Sequence, residues 1–159
     1  MSELKQEFWA RMADVRAAML GIKGEGKLVA MSPQLDDKYP GVVWFITAKG
    51  TDLAKGVQAG VRDAQLVIAD GGAGLYGDID GTLAHSTDQQ VLDEVWSFAA
   101  DAWFEGGKND PDVCLLRFTP KSGEISVTPT SGVKFLYEIA KAKFTGEKPD
   151  AGEQGVVAF

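Results

Sequence analysis

Hydroxyl and lysine side chains are concentrated just after the most strand-like segment of this sequence. Residues 42–47 (VVWFIT) are β-branched and aromatic, and Lys49, Thr51 and Lys55 follow within eight residues. Hydroxyls, lysines and free backbone N–H groups at the start of a helix can bind a phosphate. The same residue types also form ordinary solvated turns, so the pattern leaves both a phosphate site and a plain turn open.

Other residues with reactive side chains give weaker signals. The only histidine is His85 and the only cysteine is Cys114, which excludes a zinc site built from clustered histidines or thiolates. No serine lies in a G-x-S-x-G elbow. Asp78 and Asp80 would share one face of a strand, where they suit an acid–base or metal pair or simply a solvated face. No catalytic residue stands out, and no metal site is predicted.

Two further patterns bear on a ligand. Gly72, Gly74 and Gly77 match G-x-G-x-x-G, but a dinucleotide-binding loop leads into a helix, and here a strand is predicted to follow. Trp44 and Phe45 are neighbours on a predicted strand and should point to opposite faces. One should face the core, and the other a flat apolar ligand, a dimer interface or further core.

Short strands and a few helices must position these residues. Apolar spacing predicts helices over residues 2–20, 88–103 and 132–143, with one or two helical turns over 53–59. The predicted strands cover residues 27–32, 42–47, 64–69, 75–84, 113–119 and 124–128, the last two joined by a hairpin-like turn at 120–123. Six strands without regular strand–helix alternation favour a mainly β (α+β) fold, a small antiparallel barrel with helices packed outside.

The chain as a whole has the composition of an ordinary globular domain. Its 159 residues suit a single domain over residues 1–159, with a polar tail at 145–159 whose packing the sequence leaves open. The net charge of −7 disfavours general nucleic-acid binding. No apolar window is long enough to span a membrane, and the first residues lack the pattern of a signal peptide. With a single cysteine, these features predict a cytoplasmic protein.

The order of the motifs resembles a known protein family. The strand end at 44–47, followed by lysines and a threonine, is similar to the flavin-phosphate segment of the pyridoxamine 5′-phosphate oxidase-like split barrels. Residues 102–117 (AWFEGGKNDPDVCLLR) resemble the hallmark block of the bacterial general stress protein branch, related to general stress protein 26, and residues 31–34 fit the same branch. The resemblance covers roughly residues 5–130, with a weaker echo at 145–150.

The resemblance implies a six-stranded antiparallel split β-barrel that forms a homodimer and binds FMN, or FAD, at the dimer interface. The positions that it assigns to the flavin site are Met31, Ser32, Phe45, Thr47, Lys49, Thr51, Lys55 and Trp103. Met31 and Ser32 would offer backbone groups to the flavin ring, and Trp103 would approach the ring from the partner chain. Phe45 and Thr47 would lie beside the phosphate and ribityl chain, and the lysines with Thr51 would bind the phosphate.

The sequence departs from the family pattern at three places, one of which is residues 124–127 (EISV), where the branch often has a tryptophan. Where the family has Arg-Pro-Met, this chain has Val29, Ala30 and Met31, so the usual phosphate arginine is absent. The turn after Thr47 is about one residue longer than usual, so the sequence leaves open whether Lys49 or Lys55 binds the phosphate.

A dimer also has a physical rationale. Side chains fill the interior of a small barrel, so a flat ring must lie outside it, where a second subunit can cover it.

Three functional hypotheses follow from the resemblance. The first is a flavin-dependent oxidoreductase, in which the flavin supplies the redox chemistry. The second is a non-catalytic flavin-binding or redox-responsive stress protein, which the lack of an evident general acid or base favours. The third is a dimer that kept the fold and lost the flavin, which the missing arginine keeps open. Oxidation of pyridoxamine phosphate itself is disfavoured, because basic residues for a second phosphate are not evident.

Overall fold

The chain folds around one antiparallel sheet. The computed structural model describes residues 2–129, 132–146 and 152–159, without the side chains of residues 98, 99, 132–135 and 138. The strands of this part are β1 (Ala18–Ile22), β2 (Val29–Met31), β3 (Val43–Ala48), β4 (Arg62–Asp70), β5 (Leu75–Ser86), β6 (Val113–Val127) and β7 (Glu153–Ala158). The helices are α1 (Glu3–Met12), α2 (Asp52–Gly56), α3 (Gln89–Val95), α4 (Phe98–Trp103) and α5 (Gly132–Thr145). None of these helices has the length and apolar character needed to cross a membrane.

The sheet curls into a nearly closed barrel, as predicted. The strand order is β2-β1-β4-β5-β6-β3, with every neighbouring pair antiparallel, and β7 adds to β6. A single antiparallel bridge joins the chain after β2 to β3. In it, the backbone N–H of Gln34 donates to the carbonyl oxygen of Trp44 at 2.8 Å, and the reverse bond measures 2.9 Å. The two edge strands therefore meet at one point and diverge beyond it.

The barrel interior is filled by the inward-facing side chains of the strands. Successive strand residues point to opposite faces, which gives the alternating burial of β4 and β5. The fully buried large side chains are Phe8, Met12, Leu20, Phe45, Leu66, Ile68, Leu75, Ile79, Leu83, Leu116, Phe118 and Ile125. Trp44 points the other way and packs in a second cluster with Val91, Val95 and Leu115, beneath α3. Both members of the Trp44–Phe45 pair are thus covered, on opposite faces of β3.

The first helix is shorter than the apolar spacing predicted. It ends at Met12, and strand β1 begins at Ala18, within the rest of the predicted helix. Ala18, Leu20 and Ile22 alternate along β1 and are all buried, which is the pattern of a strand with one face in a core. The sequence up to Leu20 satisfied a helical period as well, so periodicity alone could not separate the two.

The second predicted helix is broken. Residues 88–103 form α3 and α4, separated by Trp96 and Ser97 in extended conformation. The Ser97 hydroxyl accepts a hydrogen bond from the Ala100 N–H at 3.1 Å and so caps α4. A serine inside the apolar pattern was the signal of this break.

The predicted hairpin at residues 120–123 is wrong. Pro120 and Gly123 lie inside β6, which runs unbroken from Val113 to Val127 and pairs with β5 along its length. The register of that pairing shifts between Asp80 and Gly81, opposite Pro120. A β-bulge accommodates a proline because the ladder is already interrupted there.

The end of the tail is ordered and belongs to the sheet. Residues 153–158 form β7 against β6, and Val157 is buried. The Phe159 ring contacts those of Phe8 and Trp9, with centroids 4.9 and 5.9 Å away. Part of the weaker family echo, residues 147–150, lies outside the described residues. Seven strands are thus described where six were predicted. β1 and β7 were not predicted, and the two strands predicted at 113–119 and 124–128 are the single strand β6.

Candidate functional site

An open cavity lies where the two edge strands of the barrel diverge. Its volume is about 520 Å³, within the range of small-molecule sites. The end of β2, the end of β3 and the helix α4 border it, and its lining includes Met31, Ser32, Thr47, Thr51, Trp103 and Phe104. The site lies between the two edge strands β2 and β3, which are linked only by the bridge from Gln34, after β2, to Trp44 of β3.

A second cavity, of about 480 Å³, adjoins the first. Met31, Thr47 and Thr51 line both cavities and so form the wall that they share. The second cavity reaches further along β1 and β2 to Lys27 and Asp52, whose charged groups lie 3.8 Å apart. Its lining is otherwise largely apolar.

Five of the eight positions assigned to the flavin site come together at the first cavity. Met31 and Ser32 approach it from the end of β2, Thr47 and Thr51 from the end of β3 and the following turn, and Trp103 from α4 of the same chain, whereas the resemblance placed Trp103 in the partner chain. Segments that are far apart in sequence thus converge on one volume. The Trp103 side chain is 84% exposed, an unusual placement for a large aromatic ring and one that leaves its surface available to a ligand or a second chain.

The other three assigned positions lie outside the lining of both cavities. Phe45 is fully buried in the barrel core, on the same face of β3 as Thr47 but two residues deeper. The side chains of Lys49 and Lys55 are exposed. Both lysines remain close to lining residues. The Lys49 N–H donates to the carbonyl oxygen of Asp112 at 2.9 Å, and the Lys55 N–H donates to that of Thr51 at 3.0 Å.

A chain of hydroxyl contacts orders the polar side of the cavity. The Thr51 hydroxyl donates to the Ala48 carbonyl oxygen at 2.9 Å and lies 3.3 Å from the Thr47 hydroxyl. The same oxygen accepts from the Ala54 N–H at 3.3 Å and so caps α2. Because α2 is only five residues long, this cap mainly fixes the conformation of the turn between β3 and α2. Thr47 then presents a nearly buried hydroxyl at the cavity wall.

The charges near the first cavity are mixed. Its described lining contains Asp112 and no lysine or arginine, so positive charge must come from the rim. Lys49 is at this rim. Burial raises the pKa of the Cys114 thiol, and the positive charge of Lys49 partly opposes that rise. Cys114 pairs with Thr47 across β3 and β6, which places the Lys49 charge close to the hydroxyl wall.

Sequence reasoning missed several lining residues. Phe104 and Asp112 line the cavity, and both belong to the residue 102–117 block from which only Trp103 was selected. Ser97 and Ala100 also line the cavity, because the helix is interrupted between α3 and α4 and α4 turns towards β3. The break at Ser97 was the signal that could have identified them.

The cavity has the features of a binding site more than those of an acid–base centre. It combines an exposed aromatic ring, apolar walls and ordered hydroxyls. His85 lies on β5 and is not among the lining residues. In the part of the chain that the structure describes, no group of three or more histidine, cysteine, aspartate or glutamate residues could hold a metal ion.

Comparison with known proteins agrees with the fold and the motifs. Residues 3–150 match the family model described as pyridoxamine 5′-phosphate oxidase like. A candidate general stress protein 26 from Jannaschia sp. CCS1 has a crystal structure that is 65% identical, with a TM-score of 0.96 over 100% of this chain and 99% of that one. A search of curated proteins found no significant match.

Two Xanthomonas structures are more distant relatives. The general stress FMN/FAD binding protein of Xanthomonas citri is 31% identical, with a TM-score of 0.72 over 82% of this chain and 93% of that one. A general stress family protein from Xanthomonas campestris pv. campestris is also 31% identical, with a TM-score of 0.70 and the same coverage. This chain therefore belongs to the pyridoxamine 5′-phosphate oxidase-like family, in which it groups with the general stress protein 26-like proteins.

Proposed function

We propose that this protein binds a flavin nucleotide, FMN or FAD, in the cavity between β2, the end of β3 and α4. The observation that carries the proposal is the convergence of Met31, Ser32, Thr47, Thr51 and Trp103 on one volume of about 520 Å³. A flavin needs a flat apolar surface for its ring and hydrogen-bonding groups for its ribityl chain. Trp103 and Met31 fit the first requirement, and the two threonines fit the second. A 31% identical relative that binds FMN or FAD supports the same ligand.

The phosphate of the flavin is the part of the ligand that the lining fits least well, because no cation is included among the described lining residues. We assign this role to Lys49. Its backbone N–H donates a hydrogen bond to the carbonyl oxygen of the lining residue Asp112, and its charge partly opposes the raised pKa of the Cys114 thiol, the residue that pairs with Thr47. Lys55, the other candidate for the phosphate, lies on α2 one helical turn beyond Thr51, so it serves as the control for Lys49.

A bound flavin would supply hydride or electron transfer. The chain's own residues would bind and orient it: Thr47 by a hydroxyl held in the cavity wall, and Trp103 by ring contact. The lining offers Asp112 as its one titratable carboxylate and does not include His85, so we assign these residues a role in binding the flavin and no role in proton transfer. Turnover with a reduced nicotinamide nucleotide and a screened acceptor would separate an oxidoreductase from a non-catalytic flavoprotein.

We further propose that the protein acts as a homodimer in the cytoplasm.

The direct test is a visible absorbance spectrum of the purified protein, followed by fluorescence titration with FMN and FAD. A flavin spectrum or saturable binding is expected. The Trp103→Ala variant should bind more weakly by about 0.5–1.5 kcal/mol, the scale of an aromatic contact, without loss of stability. Tyr76→Ala removes a partly exposed aromatic elsewhere on the sheet and should leave binding unchanged. A colourless protein that binds neither flavin would reject the proposal.

A further inference from the structure

The second cavity, of about 480 Å³, is itself within the size range of small-molecule sites. Its floor is apolar, since Leu20, Ile22 and Leu53 line it and are at most 6% exposed. Val29 pairs with Leu20 across β1 and β2 and adds an apolar side chain that is 39% exposed. The second cavity therefore offers apolar surface that a flat ring would cover and remove from water.

The segment that leads through β2 separates the two cavities. Lys27, Val29 and Met31 line the second cavity, whereas Ala30 and Ser32 line the first. Alternate residues of an extended segment point to opposite faces. The two cavities thus lie on opposite faces of the same edge strand, and Met31, which lines both, marks the place where they meet.

The gap between β2 and β3 connects these two faces. Thr47 lines both cavities, whereas its neighbours Ile46 and Ala48 line only the first. Thr51, whose hydroxyl lies 3.3 Å from that of Thr47, also lines both. Because a single bridge links the two edge strands, no ladder of hydrogen bonds closes the gap at these hydroxyls. Two largely apolar volumes are therefore joined by a polar passage.

Lysines stand on both sides of this passage. Lys49 is at the rim of the first cavity, and Lys27 lines the second. The Lys27 Nζ lies 3.8 Å from an Asp52 carboxylate oxygen, and both side chains are 76% exposed. An exposed ion pair of this kind contributes little to stability, so the Lys27 ammonium group can turn to a phosphate oxygen at low cost. The two lysines match a ligand with two phosphates better than a ligand with one.

We propose that the flavin of this protein is FAD, with its ring in the first cavity, its diphosphate at the Thr47 and Thr51 hydroxyls, and its adenosine in the second cavity. Lys27 binds the phosphate next to the adenosine, and the adenine ring covers Val29 and Leu20. FMN would fill the first cavity and leave the second empty. This inference rests on the proposed flavin site and adds the part of the ligand that distinguishes FAD from FMN.

The first test compares the two flavins on the wild-type protein. In equilibrium fluorescence titrations, FAD should bind at least about tenfold more tightly than FMN, because the adenosine is tethered to a group that is already bound. Chromatography of the flavin released from the purified protein should identify FAD. Binding of FMN as tight as that of FAD would overturn the inference.

The second test fills the second cavity. Val29→Trp adds a large ring at a partly exposed position, so thermal unfolding of the barrel should change little. The variant should bind FAD roughly tenfold more weakly, at the level of FMN, and keep its affinity for FMN. Leu28→Trp is the matched control, because Leu28 is 42% exposed and lines neither cavity. Unchanged FAD binding in a folded Val29→Trp protein would overturn the inference.

The third test removes the charge of Lys27. Lys27→Gln should weaken FAD binding by about tenfold or more, the loss expected for a hydrogen bond to a charged group, and leave FMN binding almost unchanged. Lys23→Gln is the control in the same hairpin, since Lys23 pairs with Asp80 at 2.6 Å and lines neither cavity. Equal weakening of FMN and FAD by Lys27→Gln would place the flavin's own phosphate in the second cavity and overturn the inference.

The outcomes separate this inference from the proposed function. Equal affinity for the two flavins, unaffected by Val29→Trp and Lys27→Gln, would keep the flavin site and reject the adenosine site. A protein that binds neither flavin would reject both. A preference for FAD that Val29→Trp abolishes and Leu28→Trp preserves is the result that supports the extended site.

Discussion

At Thr51 a single hydroxyl serves both the local fold and the cavity. It caps α2 and lies 3.3 Å from the Thr47 hydroxyl, so the wall of the cavity is ordered before any ligand binds. Such preorganisation lowers the entropic cost of binding. Both threonines were selected from the sequence, because Thr47 ends the strongest strand signal, Thr51 comes shortly after it, and the family resemblance assigns both to the flavin site.

Lys49 gives a prediction at the same scale. Lys49→Ala should weaken FMN binding by about 1.5–3 kcal/mol, the loss expected for a hydrogen bond to a charged group, and leave riboflavin binding almost unchanged. Parallel titrations with the two flavins measure the difference. Lys55→Ala is the matched control and should have the smaller effect. Equal weakening of FMN and riboflavin by Lys49→Ala would remove this residue from the phosphate site.

The residues assigned to the flavin site show what the spacing of residues in a sequence can and cannot predict. Thr47 and Phe45 share one face of β3, but Thr47 lies at the strand end, where that face opens into the cavity, and Phe45 lies deeper in the core. Spacing along a strand predicts the face of a side chain but not its depth. Depth depends on where the neighbouring strand diverges, and that is a tertiary property.

Among the elements, β5 and β6 pack so closely at the bulge that there is no room for a side chain at Gly81 of β5. A Cβ at Gly81 would clash with the carbonyl oxygen of Thr119 and lie 2.8 Å from Cζ of Phe118. Gly81→Ala should therefore lower the free energy of unfolding by about 1–3 kcal/mol, measured by urea denaturation. Gly50→Ala is the control, since a Cβ there meets nothing within 4 Å. Equal stability of the two variants would contradict the tight packing at the bulge.

The elements that were predicted incorrectly share a physical cause. The helical period of residues 2–20 continued into Ala18 and Leu20, which also fit the strand period of β1, and only the barrel core decided between the two. Pro120 and Gly123 have the composition of a turn, but pairing with β5 on one side and β7 on the other keeps that segment extended. Turn propensity is a local signal, and here the sheet overrides it. By contrast, the sequence predicted β3 correctly, because its β-branched and aromatic residues and its boundaries both indicated a strand.

For the whole molecule, residues 153–159 connect β6 to α1. Phe159 packs on Phe8 and Trp9, and so joins the end of the chain to α1. Phe159→Ala should lower the free energy of unfolding by about 1–3 kcal/mol, since it removes two aromatic contacts at a partly buried site. Val156→Ala changes a neighbour that is 76% exposed and should be almost neutral. If both variants unfold like the wild type, the tail does not support the barrel.

A flavin bound in the gap between the diverging edges of the barrel would be excluded by a bulky side chain placed there. Ser32→Trp fills this gap from an exposed position, so it should leave the fold intact while abolishing FMN binding. Ser122→Trp adds the same side chain at an exposed position of β6 and should bind FMN like the wild type. Equilibrium titration of the three proteins with FMN is the decisive measurement. Loss of binding in Ser32→Trp alone is predicted, and undiminished binding in a folded Ser32→Trp protein would place the flavin elsewhere.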